Sequence, residues 1–375
     1  MMPNSSSSKK MRVLVAIASD IATDMRVTKV VRFLCSIGFV PQVICCKRSE
    51  IEWRDDFQAI RMRMLVKRSF LFYLMFNLRL FLRGIFHQAD IILANDLDTL
   101  PACRLLGWLK GIPVIYDSHE YFTESVGLFD RPFVKRIWQG IEKLFLPGVS
   151  AAYTVSQPIA DAYQKLYGIP FRVIRNYPDL QQFPQRKNYS PYNNSKYILY
   201  QGVFNPSRSI PQLIEAMQWV DKEYHLVLAG HGELEDELRQ LVKNLKLQQR
   251  VVFTGSLPYH DLIQYTYHAS LGIALEESQT LSFKYSLPNK VFDYVAASLP
   301  FVTLGTPLVR EMVEKMGIGI LVENNYPDYL AQQINFILQN ESLLESIRIR
   351  QKEIRHLFSW ENECQNLSDL FHAVK

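Results

Sequence analysis

The sequence predicts an α/β protein made of two doubly wound, parallel-sheet halves, and three observations predict it. The first is length: at 375 residues the chain exceeds what one hydrophobic core ordinarily organises. The second is rhythm. Short β-branched apolar runs alternate with helix-length segments, the pattern of βαβ units whose sheets are covered on both faces. The third is that this rhythm stops near residues 176–194, in a stretch rich in Pro, Asn, Gln and Tyr, and then starts again. That composition suits a hinge linker.

The elements follow in order. Residues 11–18 form a buried-strand run; Thr23 or Asp24 then offers an N-cap to a helix over 25–37 that stops at Gly38. Further strands read at 40–46, 91–94, 114–116 and 152–155, separated by helix-length segments. In the second half, strands at 197–201, 225–229, 251–253, 271–274 and 301–303 alternate with helices at 210–220, 233–246, 259–269 and 290–297. The reading is a polar, fraying tail over 1–10, a Rossmann-like domain over 11–180, a linker over 181–195, a second Rossmann-like domain over 196–355, and a last segment over 356–375.

Composition narrows the class. Hydrophobic residues make up 48% and charged residues 21%, as in a soluble globular protein. The opening residues lack the apolar core of a signal peptide, so the expectation is a cytoplasmic protein. Cys35, Cys45, Cys46, Cys103 and Cys364 are odd in number and without metal-type spacing; they read as reduced thiols and speak against a structural zinc.

The net charge of +5 is uneven: residues 1–185 hold 24 Lys and Arg against 16 Asp and Glu, and the remainder 18 against 21. A basic half expects a negative partner. Its basic residues are interleaved with aliphatic and aromatic runs, which suits a bilayer surface better than nucleic acid. Residues 61–86 carry six basic residues and no acid. The uninterrupted apolar run at 70–76 is far shorter than the roughly 20 residues a spanning helix needs. The stretch therefore reads as a basic amphipathic segment lying in the interface. Lys67, Arg68, Arg79 and Arg83 belong to it, and Lys135 and Arg136 sit in a similar stretch at 131–146. The alternative is a buried helix with a wet basic edge.

Ligands of such sheets bind beyond the carboxyl ends of the strands. Five segments there make a series: YQGVFNPSRSI (200–210), LAGHGEL (228–234), VFTGSLP (252–258), SLPNKVFDYVAASLPFV (286–302) and FSWE (358–361). In this order they resemble the GT-B glycosyltransferases of the large retaining family 4, over nearly the whole chain. The resemblance implies two Rossmann-like domains facing across a cleft. The first would lie on the acceptor side, the second would bind the nucleotide sugar, and the final helix would cross back to the first.

The resemblance also assigns residues. Gly202 and Arg208 match the family's glycine loop and phosphate-binding arginine, and an arginine placed after a strand and before a helix can grip two phosphate oxygens. The family's following lysine is replaced here by Gln212 and Leu213, so Lys290, with Asn289 at the start of the donor helix, is the substitute. Asp293 stands where the family has the glutamate that binds ribose. Tyr285 stands where it has the glutamate that meets the sugar; Glu276 or Glu277 reaches that sugar if the loop is longer. Ser256 and Leu257 match the segment that reads the base. His119 matches a strand-end histidine facing the reacting sugar, with a role in hydrogen bonding and charge stabilisation near the anomeric carbon. Its neighbour Glu120 orients the ring or meets acceptor. Asp24 and Arg26 contact acceptor or close the cleft. Asp96 and Asp98 form a DxD, which binds metal in the single-domain GT-A transferases; helix capping or acceptor contact is the reading here, with no metal and no cofactor. For each, the ordinary structural role (surface arginine, helix-end charge, satisfied histidine, plain loop) stays open.

The function implied is transfer of a hexosyl group from a UDP- or GDP-type nucleotide diphosphate sugar to a lipid-linked or polysaccharide acceptor. It would proceed with retention, in cell-envelope glycan synthesis such as that of lipopolysaccharide, with the protein peripheral on the inner face of the cytoplasmic membrane. A sugar-nucleotide epimerase or hydrolase on the same fold, or a binding protein that has lost turnover, are the alternatives.

Overall fold

The computed structural model describes residues 10–49, 55–66, 69–192, 195–277 and 280–374. The expectations placed on residues 1–9, on Lys67 and Arg68, and on residues 193–194 of the linker lie outside these. The chain forms two compact units: residues 176–362, and the preceding chain joined by residues 363–375.

Among the described residues, the first unit holds seven parallel strands: β1 (Arg12–Ala16), β2 (Val40–Cys46), β3 (Gln58–Met62), β4 (Ile91–Asn95), β5 (Val114–Ser118), β6 (Ala151–Thr154) and β7 (Phe171–Val173). Their order across the sheet is β3-β2-β1-β4-β5-β6-β7. Val13, Leu14, Val15 and Ala16 are all buried, although successive side chains of a strand point to opposite faces, so helices cover both sides. Strands β3 and β7 are absent from the sequence reading. Both are edge strands with polar residues, which bury too little to show a continuous apolar run. The helix Met25–Ser36 starts where Asp24 accepts a hydrogen bond from Val27 N–H, buries Val27, Val30, Val31 and Leu34, and stops before Gly38, whose φ of +91° glycine tolerates.

The second unit holds β8 (Lys196–Gln201), β9 (Tyr224–Ala229), β10 (Val251–Gly255), β11 (Leu271–Ala274), β12 (Phe301–Thr303) and β13 (Ile320–Leu321). They are parallel, in the order β10-β9-β8-β11-β12-β13. Alternate residues of β8 enter different cores. Ile198 and Tyr200 pack with Leu226, Leu228 and Ile214, while Tyr197 and Leu199 pack with Val227, Val295 and Phe301. In both sheets the strand order reverses beside the first strand, between β1 and β4 and between β8 and β11. The carboxyl ends of the strands at such a reversal are the usual ligand position in such sheets. The helix Trp360–Ala373 begins in the second unit and ends in the first.

Candidate functional site

In the second unit the loops after β8, β9 and β10 are laced together by backbone. Gly202 N–H donates to Ala229 O (2.9 Å), Gly230 N–H to Gly255 O (3.0 Å) and Phe204 N–H to His231 O (2.9 Å). A Cβ on residue 230 would stand 1.9 Å from Gly202 O, so this close approach requires glycine. The chain then makes one 3-10 turn, Pro206–Arg208, and Ser209, at φ +51°, turns it into the helix Ile210–Ala216. Arg208 emerges at that corner. Its Nη1 donates to Glu276 Oε1 at 2.8 Å, and its guanidinium lies 4.8 Å from the centroid of the Phe283 ring.

Lys290 comes to the same place from the first turn of the helix Asn289–Ala297. Its Nζ lies 2.9 Å from Glu276 Oε1 and 3.9 Å from the centre of the Tyr200 ring. A Cβ at Gly202 would be 3.5 Å from it. Gly202, Arg208 and Lys290 thus converge, and Glu276 is the carboxylate between the two cations. Burial pushes Lys290 down to about 8, with Arg208 adding to the effect and Glu276 opposing it. Burial alone would raise Glu276, but Lys290 and Arg208 hold it below the usual carboxylate value.

Asp293 lies one turn further along the helix. Its Oδ1 accepts from the Tyr259 hydroxyl (2.8 Å) and its Oδ2 from Gln201 Nε2 (2.9 Å), and Thr266 Oγ1 donates to Gln201 Oε1 (2.9 Å). Tyr259 opens its helix two residues after Leu257, so the 256–257 segment and Asp293 belong to one construction. Ser256 is exposed, its Oγ 2.6 Å from His231 Nδ1; Leu257 packs against the core that holds Phe292. Asn289 is exposed. Tyr285 ends the short helix Leu281–Lys284, its N–H donating to Leu281 O at 3.0 Å. Glu277 braces two loops, accepting from Ser209 Oγ (2.9 Å) and Asn325 Nδ2 (2.9 Å). Sequence reasoning missed Gln201 and Tyr259. A buried glutamine ending an apolar strand, directly before a glycine, was the available signal for the first.

In the first unit His119 sits after β5 between two carboxylates. Its Nδ1 is 3.1 Å from Asp96 Oδ2 and its Nε2 3.0 Å from Asp117 Oδ2, and its backbone N–H donates to Asp96 Oδ1 at 2.9 Å. Two carboxylate partners require both ring nitrogens to carry protons. Burial alone would lower its pKa, and the two aspartates hold it well above 6.5. The two aspartates favour the imidazolium form, and in this arrangement its ring nitrogens are engaged by protein rather than turned to a sugar.

Arg26 revises an expectation. It is buried, donating from Nε and Nη2 to Asp117 (3.2 and 2.8 Å) and from Nη1 to Ile174 O (3.2 Å). It anchors Asp117 and is not open to an acceptor. Asp24 is the N-cap described above and also accepts from Ser19 Oγ (2.7 Å), a local structural use. Burial would raise Asp117, but Arg26 and His119 bring it down to about 2. Asp98 is pushed up to about 8 by burial and then by Asp96. Asp96 adopts φ +60° and Glu120 is exposed. Among the described residues no three His, Cys, Asp or Glu side chains group to hold a metal ion.

A third region lies on the same unit. The helix Phe70–Phe86 buries Phe72, Phe76, Leu80 and Gly84, while Phe70, Leu71, Leu74, Leu78, Leu82 and Phe86 are exposed. Trp108 on the helix Leu100–Lys110 is 80% exposed and Phe133 on the helix Pro132–Phe145 is 74% exposed. Apolar side chains, more than the cations, make up the outer face. Arg83 and Arg136 are exposed among them, whereas Arg79 donates back to Arg63 O (2.6 Å) and Lys135 pairs with Glu124 (2.6 Å). Arg61, counted with this stretch, instead pairs with buried Asp20 at 2.8 Å. Among the described residues no helix is long and apolar enough to cross a membrane.

Two doubly wound sheets, the second with a glycine-laced crevice flanked by Arg208 and Lys290, define the GT-B class of glycosyltransferases. Residues 25–182 match the family described as Glycosyltransferase Family 4 and residues 181–354 that described as Glycosyl transferases group 1. The chain belongs to this family of glycosyltransferases. Among curated relatives, it is 23% identical over 333 residues to the alpha-monoglucosyldiacylglycerol synthase of Streptococcus pneumoniae, covering 81% of this chain and 72% of that one; it spans about half the length of other relatives. Among solved structures, sucrose-phosphate synthase of Thermosynechococcus elongatus matches with TM-score 0.77 at 18% identity, over 97% of this chain and 99% of that one. HepE of Anabaena in complex with UDP-glucose matches with TM-score 0.74 at 17% identity, over 97% and 100%.

Proposed function

We propose that this glycosyltransferase moves a hexosyl group from a nucleotide diphosphate sugar to a lipid-linked or glycan acceptor, with retention and without a bound metal, in cell-envelope glycan or glycolipid synthesis. The observation that carries the reading is the convergence of Arg208 and Lys290 beside Gly202. Negative charge grows on the diphosphate as its bond to the anomeric carbon breaks. Two cations and the amide end of the helix Asn289–Ala297 oppose that charge from fixed positions, at little reorganisation cost. Asp293 takes the ribose hydroxyls in exchange for its present donors, and Ser256 and Leu257 meet the base. UDP-sugars are the first donors to try, since the Anabaena neighbour holds UDP-glucose. The acceptor oxygen bonds to the anomeric carbon on the face the diphosphate leaves, and its proton passes to the departing phosphate oxygen.

The exposed apolar face with Arg83 and Arg136 supports peripheral attachment to an anionic membrane, placed by this reading at the cytoplasmic side. The streptococcal relative, by name the synthase of a glucosylated diacylglycerol, supports a lipid acceptor. The reading is tested by donor consumption with UDP- and GDP-hexoses and by NMR of the product. Arg208→Ala lowers kcat/KM by about 100-fold; an unchanged rate removes the proposed role of the cations, and an inverted anomeric signal removes retention.

A further inference from the structure

We infer that Glu276 is a built-in counter-anion of the diphosphate site and sets its preference for the intact nucleotide sugar over the nucleoside diphosphate left after transfer. The inference rests on the diphosphate reading of Arg208 and Lys290.

Glu276 follows β11 at the crevice and is 3% exposed. Arg208 Nη1 and Lys290 Nζ both meet its Oε1, at 2.8 and 2.9 Å. A single oxygen holding two cations at these distances stands as a phosphate oxygen would. The pairing leaves donors to spare: Arg208 Nε is buried without an acceptor, and Lys290 Nζ, though close to the carboxylate, is poorly aligned for a hydrogen bond. Two acceptor oxygens on a diphosphate would satisfy what one carboxylate oxygen leaves open. The surroundings hold the cations in place without Glu276, since the Arg208 guanidinium lies against Phe283 and Lys290 Nζ over Tyr200. Such contacts keep a cation positioned while its anionic partner changes.

The consequence follows from charge. The released nucleoside diphosphate carries one more negative charge than the diphosphate diester of the donor. A buried carboxylate beside it repels the product more than the donor, and the low-dielectric surroundings strengthen that repulsion. Glu276 thus offsets the charge of Arg208 and Lys290 and favours product release by direct repulsion.

The test is calorimetry at pH 7 on the full chain with two ligand pairs, UDP with UDP-glucose and GDP with GDP-mannose. For the pair that binds, the readout is the ratio of the diphosphate Kd to the nucleotide-sugar Kd. Glu276→Gln shifts the ratio about tenfold toward the nucleoside diphosphate, whereas Glu276→Asp, which keeps the charge, stays near the wild-type ratio. A merely structural glutamate would weaken both ligands alike, and a ratio that is unmoved or moves toward the sugar overturns the inference. If Glu276→Gln does not fold, the double variant with Lys290→Met, which removes one charge of each sign, is compared with Lys290→Met alone by the same ratio. Failure of both pairs to bind, or undiminished binding by Arg208→Ala, overturns the diphosphate reading itself and not only the role of Glu276.

Discussion

His119 is favoured in its positively charged form by the two carboxylates beside it. Its raised pKa, set by Asp96 and Asp117 against the opposing effect of burial, lies above the ordinary value near 6.5. The stability it contributes is therefore complete below pH 6.5 and lost as pH rises through the folded-state value. Nitrogen NMR at pH 7.5 is expected to show a doubly protonated ring, and Asp117→Asn to bring its titration midpoint down; a neutral wild-type ring at that pH defeats the assignment. Lys290 gives a second pH signature, with the opposite direction of shift. Burial depresses it to about 8, whereas a bound diphosphate holds it protonated. Nucleoside diphosphate affinity is thus expected to fall above pH 8, by up to about tenfold per pH unit, and Lys290→Met to abolish the fall. Isothermal titration across pH 7–9.5 checks it. The family resemblance named His119 and Lys290, but their states also depend on Asp96, which follows β4, and on Glu276, which follows β11.

Elements were legible where both faces of a strand or one full helical stripe are buried. The strands Val40–Cys46, Leu271–Ala274 and Phe301–Thr303 have the bounds their apolar runs predict, and the helix Asn289–Ala297 differs by one residue. The helix over 210–220 is the contrary case: it ends at Ala216, and Met217 and Trp219 close tighter turns on Ile214 and Ala216, a change that periodicity alone does not mark. In the helix Phe70–Phe86 the apolar positions exceed what one buried face uses. Phe72, Phe76 and Leu80 face inward, and Leu71, Leu74, Leu78 and Leu82 outward, so this helix presents a surface that a monomeric soluble protein ordinarily avoids. Leu74→Glu with Leu78→Glu is expected to abolish flotation with phosphatidylglycerol-containing liposomes. The melting temperature should stay within about 3 °C of wild type, because neither residue is in the core. Retained flotation of the folded variant removes this helix from the membrane reading.

At the scale of the whole molecule, the last residues complete the first unit. Leu367, Leu370 and Phe371 are buried, Phe371 lies edge-to-face with Phe39 at 5.7 Å, and Glu363 accepts from the Arg175 backbone at 2.9 Å. Burying these three apolar side chains stabilises by about 2 kcal/mol each, a large part of the roughly 5–15 kcal/mol that holds a domain folded. Ending the chain at Asn362 is expected to make the first unit susceptible to limited proteolysis at 25 °C while the second still melts cooperatively; equal resistance of both units would show the tail to be dispensable. The order of strand, glycine turn and helix, the two-domain division and the basic bias of the first half were determined by the sequence alone, because each is a local pattern of apolar period, turn chemistry or charge. Which cations share Glu276, which carboxylates clamp His119, why Arg26 is internal, and which leucines stay outside were decided only by the tertiary structure. These are relations between residues up to 148 positions apart, as in the hydrogen bond from Arg26 to Ile174 O. Burial and paired charge, the forces that set them, exist only once the sheets have formed.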